Sequence, residues 1–96
     1  MTMIIGSLVL QIYVPESGSL KTKRQVVQSL IAGLRREFNA SVAEVDHLDS
    51  WQRADVAVVC VSNDRRYAEG LLQRAVNYVE NGRFDLVLLD YELEVY

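Results

Sequence analysis

Cysteine, proline and long apolar runs are scarce in this sequence of 96 residues, and each scarcity excludes a class of protein. Cys60 is the only cysteine, so the chain can form neither an internal disulfide nor a zinc site built from several cysteines. The single proline is Pro15, and no Pro- or Ser-rich stretch indicates a linker or disorder. The longest apolar run, residues 56–61, is far shorter than a membrane span. The N-terminus also lacks the pattern of a signal peptide, so we expect a cytoplasmic protein without membrane contact.

The remaining composition is that of one small globular domain. Hydrophobic residues make up 50% of the chain and charged residues 24%, which is enough for one core over residues 1–96 and leaves no room for a second domain. The net charge of -3 and the pI near 5.0 argue against a protein that coats nucleic acid through a general positive field. Any contact with nucleic acid should therefore be local.

Hydrophobic periodicity predicts six elements in the order strand, helix, strand, strand, helix, strand. Helical spacing of apolar residues follows Ser19 and Asp64, and both residue types are suitable helix N-caps. Alternation, or a nearly continuous Val and Ala run, indicates strands. The predicted strands cover residues 3–14, 40–47, 53–61 and 84–96.

This order of elements predicts a ferredoxin-like α+β fold. Two amphipathic helices joined to strands by right-handed split crossovers cover one face of a four-stranded antiparallel sheet in the order 4-1-3-2. The start of the first helix, the hairpin between strands two and three, and the turn before strand four should then meet at one end. The start of the second helix and the end of the first helix should meet at the other end.

Four stretches resemble signature stretches of the bacterial YlxP-like family and occur in the same order along the chain. They are SLKTKR at residues 19–24, AEVDH at 43–47, WQRA at 51–54 and SNDRR at 62–66. The resemblance covers nearly the whole chain and implies a ferredoxin-like domain. Genes of this family tend to lie beside those of translation initiation and ribosome-maturation factors, which implies a role near the ribosome by association alone. The family has no established activity, so the resemblance implies no catalytic residue.

Cations cluster in the first turn of the first predicted helix, where the helix dipole disfavours positive charge unless an anion offsets it. The hairpin and the turn before the last strand should bring further basic residues and one Trp to the same end. Such a surface could grip a phosphate backbone, which predicts a contact with RNA or the ribosome. The alternative is a solvated basic turn in which the Trp covers the end of the core. The candidate residues are Lys21, Lys23, Arg24, Trp51, Arg53 and Arg83.

Arg65 and Arg66 open the second predicted helix in the same way and form a second, weaker anion candidate. Arg35 and Arg36, at the end of the first helix, are expected to lie near them. The alternative is that all four residues are solvated surface charges.

The acidic residues around His47 do not predict a metal site. Glu44 and Asp46 should share a strand face, His47 should point the other way, and a lone His beside carboxylates such as Asp49 has no recognised ligand spacing. We expect no metal and no cofactor, with His47 capping the hairpin or lying half-buried. Cys60, within an apolar strand, should be a core residue and not a nucleophile.

Several activities found on this fold lack their residues here. An acylphosphatase-like hydrolase would need an Arg in the loop at residues 15–19, and a metal chaperone would need a Cys pair there; neither is present. An RNA-recognition motif stacks bases on aromatic residues of its central strands, whereas residues 53–61 contain none. We therefore predict a non-enzymatic binding domain.

The open face of the predicted sheet offers a different class of function. Ile5, Val9 and Tyr13 should lie there between acidic residues of the edge strands. An apolar centre with a charged rim is typical of a protein contact surface. Homodimerisation, or docking of a translation-associated protein, is therefore the alternative to RNA binding. The expected rim consists of Glu44, Asp46, Asp90, Glu92 and Glu94.

Overall fold

The structure is a computed structural model that describes all residues from 1 to 96. Its elements follow the predicted order. They are β1 (Ile4–Tyr13), α1 (Leu20–Glu37), β2 (Ser41–Asp46), β3 (Arg53–Ser62), α2 (Arg65–Asn81) and β4 (Val87–Val95). The last strand begins later than predicted, because Phe84 packs against Tyr78 of α2, with 5.7 Å between ring centroids, instead of joining the sheet.

Both helices begin where the sequence places a side-chain acceptor. Ser19 Oγ accepts a hydrogen bond from the Thr22 N–H at 3.1 Å, and Asp64 Oδ1 accepts one from the Arg66 N–H at 2.9 Å. These bonds satisfy N–H groups that have no partner within the first helical turn. Neither helix combines the length and the apolarity needed to cross a membrane.

The four strands form one antiparallel sheet in the order β2-β3-β1-β4, which is the predicted ferredoxin-like order. Because alternate residues of a strand point to opposite faces, every second residue of β1 and β3 is buried beneath the helices. The core consists of Leu8, Leu10, Ile12, Val14, Val27, Leu30, Leu34, Val42, Ala54, Val56, Val58, Cys60, Ala68, Leu71, Leu72, Ala75, Val76 and Val79. The other face of the sheet is open.

A bulge in β2 changes the direction of its acidic residues. Glu44 lies opposite Val56, whose side chain is buried beneath the helices, whereas Asp46 lies opposite Asp55 on the open face. The extra residue between them is Val45. The expectation that Glu44 and Asp46 share a face is therefore wrong, because the bulge adds one residue to the alternation.

The two helices are staggered along their axes. Phe38, at the end of α1, packs edge-on against Tyr78 in the last part of α2, with ring centroids 5.9 Å apart. Gly33 of α1 faces the same Tyr78 ring. The end of α1 therefore lies beside the last part of α2, and the expectation that it meets the start of α2 is wrong.

Candidate functional site

Lys23 belongs to the predicted basic end, yet the structure buries it completely, with 0% of its side chain exposed. Its ammonium donates to Glu44 Oε2 at 2.7 Å and to the carbonyls of His47 and Leu48 at 3.1 and 3.4 Å. An ammonium has three N–H donors, so these contacts can occupy all of them. The expectation that Lys23 contacts an external anion is therefore corrected, because the Glu44 carboxylate already offsets this cation.

The same contacts fasten the β2–β3 hairpin to the start of α1. The Gln52 side chain adds hydrogen bonds to the carbonyls of Pro15 and Ser17, both at 3.4 Å. His47 has a φ of 61°, in the left-handed region that few non-glycine residues adopt, and its carbonyl faces the Lys23 ammonium. The predicted proximity of the hairpin to the start of α1 is confirmed by these bonds.

The remaining basic residues of the predicted site do not form one patch. Lys21 and Arg24 are exposed on α1, and Arg83 lies beside α1 in a groove of about 220 Å³. Arg53 lies on the other side of the sheet, because it precedes the buried Ala54 and the alternation turns its side chain to the open face. The structure therefore places three exposed cations in the helix layer and separates Arg53 from them.

Trp51 lies in the β2–β3 connection with 58% of its surface exposed. It therefore does not cover the end of the core, as the alternative interpretation of the basic turn required. An exposed indole can stack on a base or anchor a protein contact.

The second candidate cluster, Arg65 and Arg66, is exposed at the start of α2. Arg65 donates from Nη1 to the Val95 carbonyl of β4 at 2.9 Å. Arg35 does not join them, since its guanidinium donates to the Val42 carbonyl of β2, at the opposite edge of the sheet, at 2.6 Å. The expected cluster of four arginines is therefore not formed.

Asp46, His47 and Asp55 come together at the hairpin end of the sheet, an arrangement that the sequence did not indicate. Their ligand atoms lie within 4.8 Å of one another, and Asp46 also accepts a hydrogen bond from the His47 N–H at 2.7 Å. The bulge produces this arrangement, and Asp49, which is exposed in the hairpin, is not part of it. Proximity alone does not define a metal site, because exposed acidic groups commonly meet in this way.

The open face of the sheet carries apolar residues on both central strands, interrupted by Ser7 and Gln11 of β1 and by Arg53 and Asp55 of β3. Ile5, Val9 and Tyr13 lie there, because they occupy positions of β1 that alternate with its buried residues. Val59 and Val61 of β3 lie beside them and are 36% and 67% exposed. The sequence did not indicate that these valines lie on the open face. Much of β3 is a continuous apolar run, and such a run does not distinguish the two faces of a strand.

Carboxylates of β4 lie beside this apolar centre, whereas on the β2 side Val59 is paired with Ser41 and the carboxylates lie at the hairpin end of the sheet. Arg53 is the single basic side chain that the strands add to the open face; its Nε is shielded from solvent and has no hydrogen-bond partner, as is also true of Asp55 Oδ1. Glu44, expected in this rim, lies on the helix-covered face instead. The observed acidic residues of the open face are Asp90, Glu92 and Glu94 on the edge strand β4, Asp46 on the edge strand β2, and Asp55 beside Asp46 on β3.

Cys60 lies in the core, as predicted from its apolar neighbours. Burial raises the pKa of its thiol, and a hydrogen bond with the Gly6 main chain opposes this rise. The thiol is therefore neutral at physiological pH, which does not suit a nucleophile.

The element order, the sheet order and the single covered sheet face define a ferredoxin-like α+β domain. Solved structures share this fold. The designed protein "De novo designed protein Foldit4" superposes with a TM-score of 0.58 at 13% identity, covering 98% of this chain and 96% of that one. A C-terminal segment of the alpha subunit of aIF2 from Pyrococcus abyssi superposes with a TM-score of 0.52 at 12% identity. The match covers 99% of this chain and 50% of that one. At these identities the likeness shows the fold alone.

Sequence comparison gives the family. The model of the family described as "Protein of unknown function (DUF503)" matches residues 5–93. The chain is also 31% identical over 78 residues to the "Uncharacterized protein YlxP" of Bacillus subtilis (strain 168), which covers 81% of this chain and 85% of that protein. The chain therefore belongs to the DUF503 family, and its resemblance to YlxP-like proteins is confirmed.

Proposed function

We propose that this protein is a cytoplasmic, non-enzymatic binding domain whose open sheet face docks a protein partner. The observation that carries this proposal is the apolar centre formed by the exposed Val59 and Val61 of β3 and the half-buried Ile5 beside them on β1. An antiparallel sheet with one solvated face normally alternates apolar and polar residues, whereas β3 places valines on the open side as well. Apolar surface surrounded by charge suits a protein interface.

The charge of the rim favours a basic partner over a second copy of this chain. Both sides of the open face carry carboxylates, so two such faces packed about a two-fold axis would bring carboxylates towards carboxylates. A partner with Lys or Arg around an apolar centre would offset them. A homodimer through this face is the alternative, and a strict monomer at high concentration in light scattering would exclude it.

The double variant Val59→Ser/Val61→Ser tests the docking proposal, because it removes the most exposed part of the apolar centre. We expect capture of the partner from a nuclease-treated lysate of the source organism to fall about tenfold or more, as for residues near the centre of an interface. The matched control is Val45→Ser/Leu48→Ser, which changes two equally exposed apolar residues at the hairpin. Equal capture by both variants, with thermal melts showing both folded, would contradict the proposal.

A contact with rRNA or the ribosome is a second candidate function. The observation that favours it is the exposed Trp51 of the hairpin together with the exposed Lys21, Arg24 and Arg83 in the helix layer. Stacking on an aromatic ring and phosphate contacts from cations are the usual components of single-stranded RNA binding. Lys23 takes no part in this version of the site, since its charge is paired inside the protein.

Charge reversal at Lys21→Glu/Arg24→Glu tests this second candidate. We expect the affinity for ribosomes or single-stranded rRNA fragments in a filter-binding assay to fall about tenfold or more, because cation contacts with phosphates dominate such affinities. The control Arg36→Glu/Arg74→Glu changes net charge equally at exposed positions away from the hairpin. An equal loss in the control would show a general charge effect, and unchanged affinity of Lys21→Glu/Arg24→Glu would exclude this site.

A further inference from the structure

We infer that β4 is a docking edge for an extended partner strand in which basic and apolar side chains alternate. β4 has nine residues and its outer side pairs with no strand, whereas the other edge strand, β2, has six residues and a bulge. An exposed strand edge is a template for a further strand. The inference goes beyond the proposed docking face, because it rests on the main chain of β4 and on the flank of α2.

The pairing of β4 with β1 determines which main-chain groups point outward. Ile5 and Tyr96 exchange both of their main-chain hydrogen bonds, at 2.7 and 2.9 Å. In an antiparallel ladder, residues that bond to the neighbour alternate with residues whose N–H and C=O point away from it. Counting back from Tyr96, the outward groups belong to Tyr91, Leu93 and Val95.

Side chains of the protein occupy part of this edge and leave its middle open. The Tyr91 N–H donates to Asp90 Oδ1 at 2.8 Å, and the Val95 carbonyl accepts from Arg65 at 2.9 Å. The ladder leaves both main-chain groups of Leu93 without a partner. A strand added here would pair around Leu93 and would replace two flexible side-chain contacts.

On the open-face side, β4 presents carboxylates at every second position. An added strand places one side chain directly beside each of Asp90, Glu92 and Glu94, at a distance where opposite charges attract and like charges repel. Lys or Arg at alternate positions would match this row. A second copy of β4 would not, because antiparallel pairing about Glu92 sets Glu92 against itself and Asp90 against Glu94.

On the helix side, the flank of α2 overhangs the same edge. A shallow groove of about 430 Å³ lies there, and Leu93 is the single hydrophobic residue in its lining. Gly70 has no side chain, which leaves space above Leu93. An apolar side chain of the added strand would enter this groove and cover Leu93. The remaining lining residues are Arg66, Glu69 and Gln73.

The direct test uses a fluorescently labelled peptide of the same length as β4 in which Lys and Val alternate. We expect fluorescence anisotropy to show binding, and hydrogen exchange to show protection of the Leu93 and Val95 amides. A peptide of the same composition, with Lys and Val in two separate blocks, should bind about tenfold more weakly or worse. No binding of the alternating peptide, or equal binding of the block peptide, would overturn the inference.

Methylated peptides test the main-chain pairing without changing the protein. N-methylation at every second residue removes the N–H donors along one edge of the peptide, and the two possible series block opposite edges. At least one series should lose about tenfold or more in affinity. Unchanged binding of both series would exclude strand addition.

Two protein variants identify the surface that the peptide uses. The triple variant at the β4 carboxylates should lower affinity about tenfold or more, whereas a control with the same net charge should not. Val59→Ser/Val61→Ser should leave peptide binding unchanged; a loss there would assign the peptide to the open face and overturn the edge site. The triple variant is Asp90→Asn/Glu92→Gln/Glu94→Gln, and its control is Glu16→Gln/Glu37→Gln/Glu80→Gln.

Discussion

Replacing Lys23 with Met should lower the free energy of unfolding by about 3–5 kcal/mol, because it leaves the partner of a buried ion pair without an opposite charge. The Glu44 side chain, only 16% exposed, would lose its 2.7 Å contact with the ammonium. The hairpin carbonyls of His47 and Leu48 would also lose their donor. Urea denaturation followed by circular dichroism measures this change.

Two controls distinguish the effect of breaking the ion pair from the effect of removing one positive charge. Lys21→Met removes an exposed cation from the same helical turn and should change stability by about 0.5 kcal/mol or less. The double variant Lys23→Met/Glu44→Met should recover much of the loss, since it leaves no unpaired charge. A Lys23→Met variant as stable as the parent would contradict the assignment of a structural ion pair.

Replacing Gly33 with Ala should destabilise the protein by about 1–3 kcal/mol, as expected for overpacking. An added Cβ would collide with the Tyr78 hydroxyl and lie 3.2 Å from Tyr78 Cζ. The ring cannot move away freely, because it packs against Phe38 and Phe84. Without such a collision, Gly to Ala within a helix is stabilising by about 0.5–1 kcal/mol, so the sign of the change is diagnostic in a thermal melt.

Gly70→Ala provides the matched comparison in α2. The nearest atom to its added Cβ is Arg74 Nη1 at 3.3 Å, the end of a flexible exposed side chain, so we expect a gain of about 0.5–1 kcal/mol. In a Tyr78→Phe background, which removes the colliding oxygen, Gly33→Ala should cost about 1 kcal/mol or less. Stabilisation by Gly33→Ala in the parent would show that Tyr78 does not pack as described.

The element order was predictable because the local signals agree with the tertiary structure. The alternation predicted for β1 matches its burial pattern in the structure, because one face of the strand meets the helices and the other stays open. Ser19 and Asp64 begin the two helices as their residue types indicate. Right-handed crossovers then leave few sheet orders, and the observed order is among them.

The burial of Lys23 was predictable from its spacing in α1, although its charge suggested an exposed position. It precedes Val27, Leu30 and Leu34 by four, seven and eleven residues, which is the spacing of the buried helical stripe. A Lys on that stripe needs a buried carboxylate nearby. Glu44 provides it, but only a structure shows that the two residues meet.

The bulge at Val45 and the stagger of the helices could not be predicted from periodicity. A bulge shifts the alternation by one residue, and a strand as short as β2 contains too few residues to show the shift. The stagger depends on how Phe38, Tyr78 and Phe84 fit together, which no spacing rule describes. These two features separate Glu44 from the acidic rim and Arg35 from Arg65.

The carboxylate row on β4 also affects how copies of this chain meet one another. A long uncovered strand would otherwise let two copies of the domain pair β4 against β4 about a two-fold axis and form a closed dimer. The mutual repulsion of Asp90, Glu92 and Glu94 in two such copies opposes this pairing. The same row of charge therefore disfavours occupation of this edge by a second copy of the chain.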